Sequence, residues 1–265
     1  MTAFSIPVDV RNPGQALACL GFHEAAEALG VPCESCFSRD GEADSFELRT
    51  ASERSPFETA IDFLAGSRAS AVTAEGRIYP AREEEKMALP VRVSGPDGPQ
   101  VVLAHWADTD TKRESFKLYS GNRSAAQIVT NMIAGLRDLH GRSRDDLVRS
   151  PFDQFTSAGG TFNFDPRSVW LALSAGYSPN DVSHEVECAP AVEILAAWGL
   201  QNSRPQMVAR RRVRYSIWLA PLPLPLARLA LGAGLPACPT RVFRYHLALS
   251  GKNKINTFAQ EETVL

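Results

Sequence analysis

Arginine recurs at every second position near the C-terminal end of this chain. Arg210, Arg212 and Arg214 alternate with other residues in a segment, 208–219, that also contains Trp218. In one extended strand this alternation places the three arginines and the tryptophan on the same face, with successive arginines about 7 Å apart. Guanidinium groups at this spacing match a phosphate repeat, and an aromatic ring beside them can stack on a base. The segment therefore predicts contact with single-stranded nucleic acid. The alternative is that the arginines form ion pairs or protect an edge strand.

The charge distribution along the chain supports the same interpretation, although the net charge is only −2. Residues 200–265 hold ten basic side chains against two acidic ones, whereas residues 24–62 hold ten acidic against three basic ones. Such separation indicates that the C-terminal region meets a polyanion. The predicted contacts in that region are Arg204, Arg210, Arg211, Arg212, Arg214, Trp218, Arg244, Lys252 and Lys254.

A second basic group precedes a predicted helix in the middle of the chain. It consists of Lys112, Arg113, Lys117 and Arg123. Backbone N–H groups at a helix start can hold a phosphate, and a glycine, here at position 121, permits close approach. The pattern lacks the second glycine and the Lys-Ser/Thr pair of a P-loop. This segment is therefore interpreted either as a second nucleic-acid contact or as a plain turn.

Residues that could support catalysis or metal binding are scattered. Cys33 and Cys36 form one closely spaced pair, but a structural zinc site needs two further ligands, and the remaining cysteines are isolated. No hydrolase, Walker or dinucleotide signature is present. The sequence therefore predicts a binding protein without metal, cofactor or catalytic residues. The enzyme alternative is a ribonuclease that uses His246 or His105 as a general base.

The elements that must position these residues are predicted from capping and periodicity. Asn12, Ser55 and Ser124 each begin a helical pattern, as good N-cap residues do. Alternation predicts strands that include residues 3–10, 46–50, 208–219 and 240–249, and pairs residues 101–106 with 115–119. Strands interspersed with helices favour an α+β fold with antiparallel sheets and packed helices, for which a ferredoxin-like or RNA-recognition-motif-like core is the candidate.

Composition and length place the chain among globular proteins. It has 265 residues, of which 44% are hydrophobic and 22% charged, so it can bury a normal core. The polar stretch 141–160 predicts a junction between an N-terminal α+β half, 1–142, and a C-terminal α+β half with the basic strands, 143–265; one continuous domain is the alternative. No apolar run is long enough for a membrane span, and five scattered cysteines suit a reducing compartment. These features predict a cytoplasmic protein.

Six blocks of this sequence together span most of the chain, and none of them is a catalytic signature. The blocks are residues 5–9, 12–22, 116–121, 162–167, 176–180 and 189–197. In these blocks the sequence resembles CRISPR-associated proteins of the type I-U systems, also called I-G. Tyr119 and Tyr177 stand where the resemblance leads us to expect Trp and Phe.

The resemblance implies a subunit of Cascade, the complex that carries guide RNA and finds matching DNA, similar to a small version of its large subunit. The implied partners are guide RNA, target DNA, other Cascade subunits and the helicase-nuclease that the complex recruits. Large subunits of such complexes help to read the protospacer-adjacent motif and hold displaced DNA. A guide-RNA-processing endoribonuclease and a scaffold that contacts only proteins are the alternatives.

Overall fold

The computed structural model describes residues 1–72, 88–96, 98–106, 116–119, 124–168, 186–233, 235–250 and 253–262. Within these ranges helices pack against antiparallel sheets, which confirms the predicted α+β class. The helices are α1 Pro13–Ala28, α2 Pro56–Gly66, α3 Ala125–Arg149, α4 Pro190–Gly199 and α5 Leu224–Ala233, with 3₁₀ turns at Pro151–Asp153 and Pro166–Ser168. The strands are β1 Thr2–Pro7, β2 Cys33–Asp40, β3 Ala43–Thr50, β4 Arg68–Ala71, β5 Val91–Ser94, β6 Gln100–Leu103, β7 Thr156–Ala158, β8 Val186–Cys188, β9 Gln206–Ala209, β10 Arg212–Trp218, β11 Leu222–Pro223, β12 Thr240–Ser250, β13 Asn253–Asn256 and β14 Gln260–Glu261.

The N-terminal sheet has the strand order β1-β3-β2-β11, and each pairing is antiparallel. Strand β3 lies between β1 and β2, and α1 connects those two, which is the split β-α-β arrangement of ferredoxin-like folds. In a ferredoxin-like sheet the fourth strand lies beside β1, whereas here β11 pairs with β2. The sheet therefore shares three strands, and not the fourth, with the predicted core.

All three predicted helix starts are confirmed. The side chain of Asn12 accepts hydrogen bonds from Gly14 and Gln15, and those of Ser55 and Ser124 accept from the third residue beyond each cap. The Gln15 side chain accepts from the backbone N–H of Asp9 at 2.7 Å, outside the helix. The entry to α1 is therefore fixed on both sides of its first turn.

The C-terminal sheet has the order β13-β12-β10-β9, with β14 also paired to β12. The prediction of one long strand over 208–219 is wrong, because β9 and β10 form a hairpin that turns at Arg210 and Arg211. Arg211 has a φ of 60°, a left-handed conformation that residues other than glycine seldom adopt. The turn separates Arg210 from the strand that carries Arg212 and Arg214.

One further prediction, the pairing of residues 101–106 with 115–119, is wrong. Strand β6 pairs with β5 in the sheet β4-β5-β6 and not with residues 116–119, which form no strand. Helix α3 runs to Arg149, so its last turns occupy part of the stretch 141–160 that was predicted to be a junction. The polar composition there belongs to a mostly exposed helical segment that follows a non-helical residue, Ser143.

One hydrophobic core contains residues of both predicted halves of the chain. Its centre is the packing of α1 against α4, which glycines bring into close approach. A Cβ atom on Gly21 would lie 2.0 Å from the carbonyl oxygen of Leu195, and one on Gly199 would lie 2.3 Å from that of Leu17. Backbone atoms of the two helices therefore occupy the space that side chains would need.

Candidate nucleic-acid interface

Three arginines of the C-terminal sheet, Arg212, Arg214 and Arg244, lie on the face opposite to its buried aromatic face. Tyr215 on β10 is opposite Phe243 on β12, both are buried, and the Tyr215 hydroxyl donates to the carbonyl oxygen of Val10 at 2.6 Å. Burial of that face directs the alternate residues outward. The outward set consists of the pair Arg212 and His246 and the pair Arg214 and Arg244, each directly opposed across the two strands.

The turn of the β9–β10 hairpin adds two more arginines next to this face. Arg210 and Arg212 are exposed, and Arg211 is partly exposed. Among the residues that the structure describes, none of these three arginines forms an ion pair. Their charges therefore remain available to an anionic ligand, at the turn that joins the edge strand β9 to β10.

Arg214 and Arg244 share one carboxylate. Glu262 lies 3.1 Å from Arg214 Nε through Oε2 and 2.6 Å from Arg244 Nη2 through Oε1. The two arginine side chains are 40% and 50% exposed, whereas that of Glu262 is 18% exposed. Two guanidinium groups and one carboxylate leave this part of the face with one net positive charge.

Trp218 does not belong to the exposed face, which corrects its predicted role in base stacking. It is fully buried, its Nε1 donates to the carbonyl oxygen of Ser35 at 2.8 Å, and its ring contacts Phe37 edge-on at 5.1 Å. The end of β10 lies against β2 of the N-terminal sheet. Both sides of the strand are therefore covered at this position, where alternation alone predicts exposure on one side.

The other predicted contacts divide into three groups. Arg204 is exposed, and its Nη2 donates to the carbonyl oxygen of His105 at 3.1 Å. Lys117 is partly buried, with its ammonium 5.0 Å from the ring centre of Tyr119, and burial lowers its pKa. The backbone N–H of Lys254 donates to the carbonyl oxygen of Leu118, which brings β13 next to the segment that carries Lys117. Lys112, Arg113, Arg123 and Lys252 lie outside the described residues.

The N-terminal sheet offers no aromatic surface for bases on its first and third strands. In an RNA-recognition motif the aromatic residues of such strands stack two or three bases. Here the outward positions of β1 and β3 include Ser5 opposite Glu47 and Ala3 opposite Arg49, while Phe46 faces the core. The β1–β3 pair therefore lacks the stacking platform of that motif.

His105 and His246, the two predicted candidates for a general base, have different surroundings. His105 is buried beside Trp106 and Phe164, and burial lowers its pKa to about 3. His246 is exposed on β12 opposite Arg212, with no carboxylate partner among the described residues. Neither the buried imidazole nor the exposed one is oriented by an acidic group, as a catalytic histidine usually is.

Another histidine, His23, belongs to a buried network of hydrogen bonds. Its Nε2 lies 2.9 Å from the carbonyl oxygen of Cys33, and its Nδ1 lies 2.9 Å from the hydroxyl of Ser35. Because a carbonyl only accepts, Nε2 carries the proton and Nδ1 accepts from the Ser35 hydroxyl. Burial lowers the pKa of His23 to about 4, so the ring is neutral at pH 7.

The cysteine pair lies on β2, where a spacing of three residues places the side chains on opposite faces. The Cys33 thiol, whose pKa burial raises to about 12, lies with His23 and Glu27, and the three possible ligand atoms are within 4.8 Å of one another. Both nitrogens of that imidazole are already hydrogen-bonded. Cys36 instead contacts Glu47 on the other face. The pair therefore cannot bind one ion together.

A surface cleft of about 570 Å³ lies at the end of the N-terminal sheet. Its walls carry both signs of charge, and the Arg167 guanidinium in its wall is already bound by Asp165 at 2.7 Å and by Asp153 at 2.9 Å. The described lining residues include no serine, cysteine, histidine or lysine. The titratable side chains of its described lining are therefore carboxylates and guanidinium groups.

Three of the blocks that carry the sequence resemblance meet in the core. The carboxylate of Glu193 in α4 accepts hydrogen bonds from the backbone N–H groups of Phe162 at 2.8 Å and Asp165 at 2.9 Å. Asp165 in turn accepts from the side chain of Asn12 at 2.9 Å. The blocks around residues 12, 162 and 193 are therefore joined by buried polar contacts.

Glu193 should make stability depend on pH. Burial, opposed by three backbone N–H donors, raises its pKa to about 7, above the value near 4.5 of an unfolded glutamate. A raised pKa means that the folded state holds the proton between those values, so this contribution is present below pH 4.5 and is lost as pH rises through 7. We expect the unfolding free energy of Glu193→Gln, relative to the unmodified protein, to rise between pH 5 and 8 by about 3 kcal/mol at most. Denaturant unfolding of both proteins at pH 5 and pH 8 measures this difference in unfolding free energy. A difference that does not change with pH would contradict the prediction.

No match was found when the chain was compared with protein-family models, with curated proteins and with solved structures. Among the described residues, no helix is both long enough and apolar enough to cross a bilayer.

Proposed function

We propose that this chain is a cytoplasmic subunit of a type I-U CRISPR RNA-guided complex and that it holds guide RNA or target DNA without catalysing a reaction. One observation supports this proposal above the others. Arg210, Arg211 and Arg212 project at a hairpin turn, without ion pairs among the described residues, next to the outward pair Arg214 and Arg244. The sequence resemblance supplies the kind of complex and its partners, which are other Cascade subunits and the helicase-nuclease.

The form of the basic face favours recognition of the phosphodiester backbone. Among the described residues, five arginines on or beside one sheet face share one carboxylate partner, that of Glu262. Arginine presents planar, bidentate donors that suit phosphate oxygens. Because Trp218 is buried, base stacking at this face would need another ring, and Phe258, which is 50% exposed in the segment between β13 and β14, is the candidate. Backbone contacts position a strand without reading its sequence.

Binding by the isolated chain tests the proposal directly. We expect it to bind a fluorescent single-stranded RNA or DNA of about 20 nucleotides, a length that exceeds the site size of a typical single-strand-binding domain. About four phosphate contacts should give a slope of about −3 when log affinity is plotted against log salt concentration. Fluorescence anisotropy at several salt concentrations measures both quantities. Absence of binding at about 50 mM salt would contradict the proposal, since non-specific electrostatic binding is strongest there.

Purification from cells separates the proposal from its alternatives. A tagged chain co-expressed with the other subunits and a guide should recover guide RNA. If the tagged chain recovers the other subunits but no RNA, and if the isolated chain has no affinity for nucleic acid, a scaffold that contacts only proteins would be favoured. Specific RNA cleavage products that disappear on His246→Ala would favour the ribonuclease.

A further inference from the structure

The last described strand of the chain places an acidic group on the basic face. Strand β14 pairs with β12, with Gln260 opposite Arg244 and Glu261 opposite Phe243. The backbone N–H of Glu262 then donates to the carbonyl oxygen of Val242 at 2.8 Å. These backbone contacts hold the Glu262 side chain over the outward surface of β10 and β12.

The contact between Glu262 and the two arginines is close but not well satisfied. The atoms Glu262 Oε1 and Arg214 Nε are both shielded from solvent, and each lies within ion-pair distance of the opposite charge. Neither atom, however, makes a hydrogen bond of good geometry with a described residue. Two guanidinium groups also offer more N–H donors than one carboxylate can accept. The pair of arginines therefore retains donors for a ligand with more acceptor oxygens.

A phosphodiester matches what the two arginines hold. It carries one negative charge, as the Glu262 carboxylate does, and its oxygens accept from arginine in the same manner. The neighbouring Arg212, Arg211 and Arg210 continue the positive surface away from Glu262, toward the hairpin turn. A polynucleotide that followed the turn would reach the Arg214–Arg244 pair, where it would meet the carboxylate.

We propose that Arg214 and Arg244 form a phosphodiester-binding site that Glu262 occupies in the free protein, so that the chain limits its own affinity for nucleic acid. This inference rests on the proposed function and adds a form of regulation to it. Displacement requires only that the Glu262 side chain swings away. Strand β14 can stay in place, because Glu261 is held by Arg241 through two hydrogen bonds of 2.8 Å.

The test is the affinity of Glu262→Gln for single-stranded RNA and for single-stranded DNA of the same sequence. Removal of the competing charge should add about one phosphate contact, which raises affinity about fivefold to tenfold near 0.1 M salt and steepens the salt slope by about 0.7. The gain should be similar for RNA and DNA, because the phosphodiester is common to both. Glu262→Asp, which withdraws the charge by one methylene and keeps position 262 acidic, should give a smaller gain.

The charge-matched control is Glu53→Gln, which removes an exposed carboxylate in the loop before α2. An equal gain in both glutamine variants would reduce the effect to net charge and overturn the inference, and so would no gain at Glu262→Gln. In a protein that carries both Arg214→Gln and Arg244→Gln, the further change Glu262→Gln should no longer raise affinity. A gain in affinity that persists in this background would also overturn the inference. If the unmodified chain and every variant fail to bind, the proposed function itself fails, which is a distinguishable result.

Discussion

Replacement of Arg210, Arg211 and Arg212 together by glutamine is expected to lower affinity for single-stranded nucleic acid by about 100-fold near 0.1 M salt. Each of the three guanidinium groups is free of ion pairs among the described residues, so each can neutralise one phosphate. Loss of three contacts should also reduce the salt slope by about 2. Glutamine leaves the left-handed backbone at position 211 as unfavourable as arginine does, so thermal unfolding should not change.

A matched variant removes the same charge elsewhere. Arg68, Arg142 and Arg149 are exposed on β4 and α3, and their triple replacement by glutamine also lowers the net charge by three. We expect this control to retain most of its affinity, since charges more than a Debye length from the ligand are screened. Equal losses in the two triple variants would show that the hairpin turn is not the contact.

Replacement of Gly21 by alanine should reduce the free energy of unfolding by about 3 kcal/mol, the upper range for overpacking. The added Cβ would lie 2.0 Å from the carbonyl oxygen of Leu195, so α1 and α4 would have to separate. Helix propensity alone predicts the opposite sign, because alanine is favoured over glycine in a helix by about 1 kcal/mol. The direction of the change in denaturant unfolding therefore decides between close packing and local propensity.

Gly141→Ala provides the corresponding control within α3. A Cβ atom at this position meets no other atom within 4 Å, so only propensity should act. We expect stabilisation of about 0.5 to 1 kcal/mol. A stabilised Gly21→Ala protein, or equal effects at both sites, would mean that the two helices do not approach as closely as described.

Local features of the fold could be predicted from the sequence because they depend on neighbours along the chain. Asn12, Ser55 and Ser124 cap helices through hydrogen bonds to residues two or three positions away. The alternation in residues 240–249 likewise indicated β12, whose apolar side faces the core along most of its length. Strand β2 was missed because its sequence, with Cys33 and Ser35 directed inward, carries little of the usual β-branched signal.

The remaining errors have non-local causes. The hairpin turn at Arg210 and Arg211 contains none of the glycine, asparagine or proline residues that normally mark a hairpin turn. Because the alternation of residue types continues through the turn, the sequence was interpreted as one strand. Burial of Trp218 depends on β2, and neutralisation of Arg214 depends on Glu262, both distant in sequence. Glu261 and Glu262 are the two acidic residues among ten basic ones in residues 200–265. That contrast was the available signal for their pairing with arginines.

The Trp218–Ser35 hydrogen bond has a consequence for how the chain is made. It joins residues 183 positions apart, and β11 completes the N-terminal sheet from the same late part of the chain. A nascent chain on the ribosome therefore carries the apolar helix α1 and an open sheet edge until β11 has emerged. Contacts of such high sequence separation form slowly and leave aggregation-prone surface exposed. Completion of the N-terminal sheet should thus wait for the synthesis of β10 and β11, and until then the chain should benefit from chaperones that shield those surfaces.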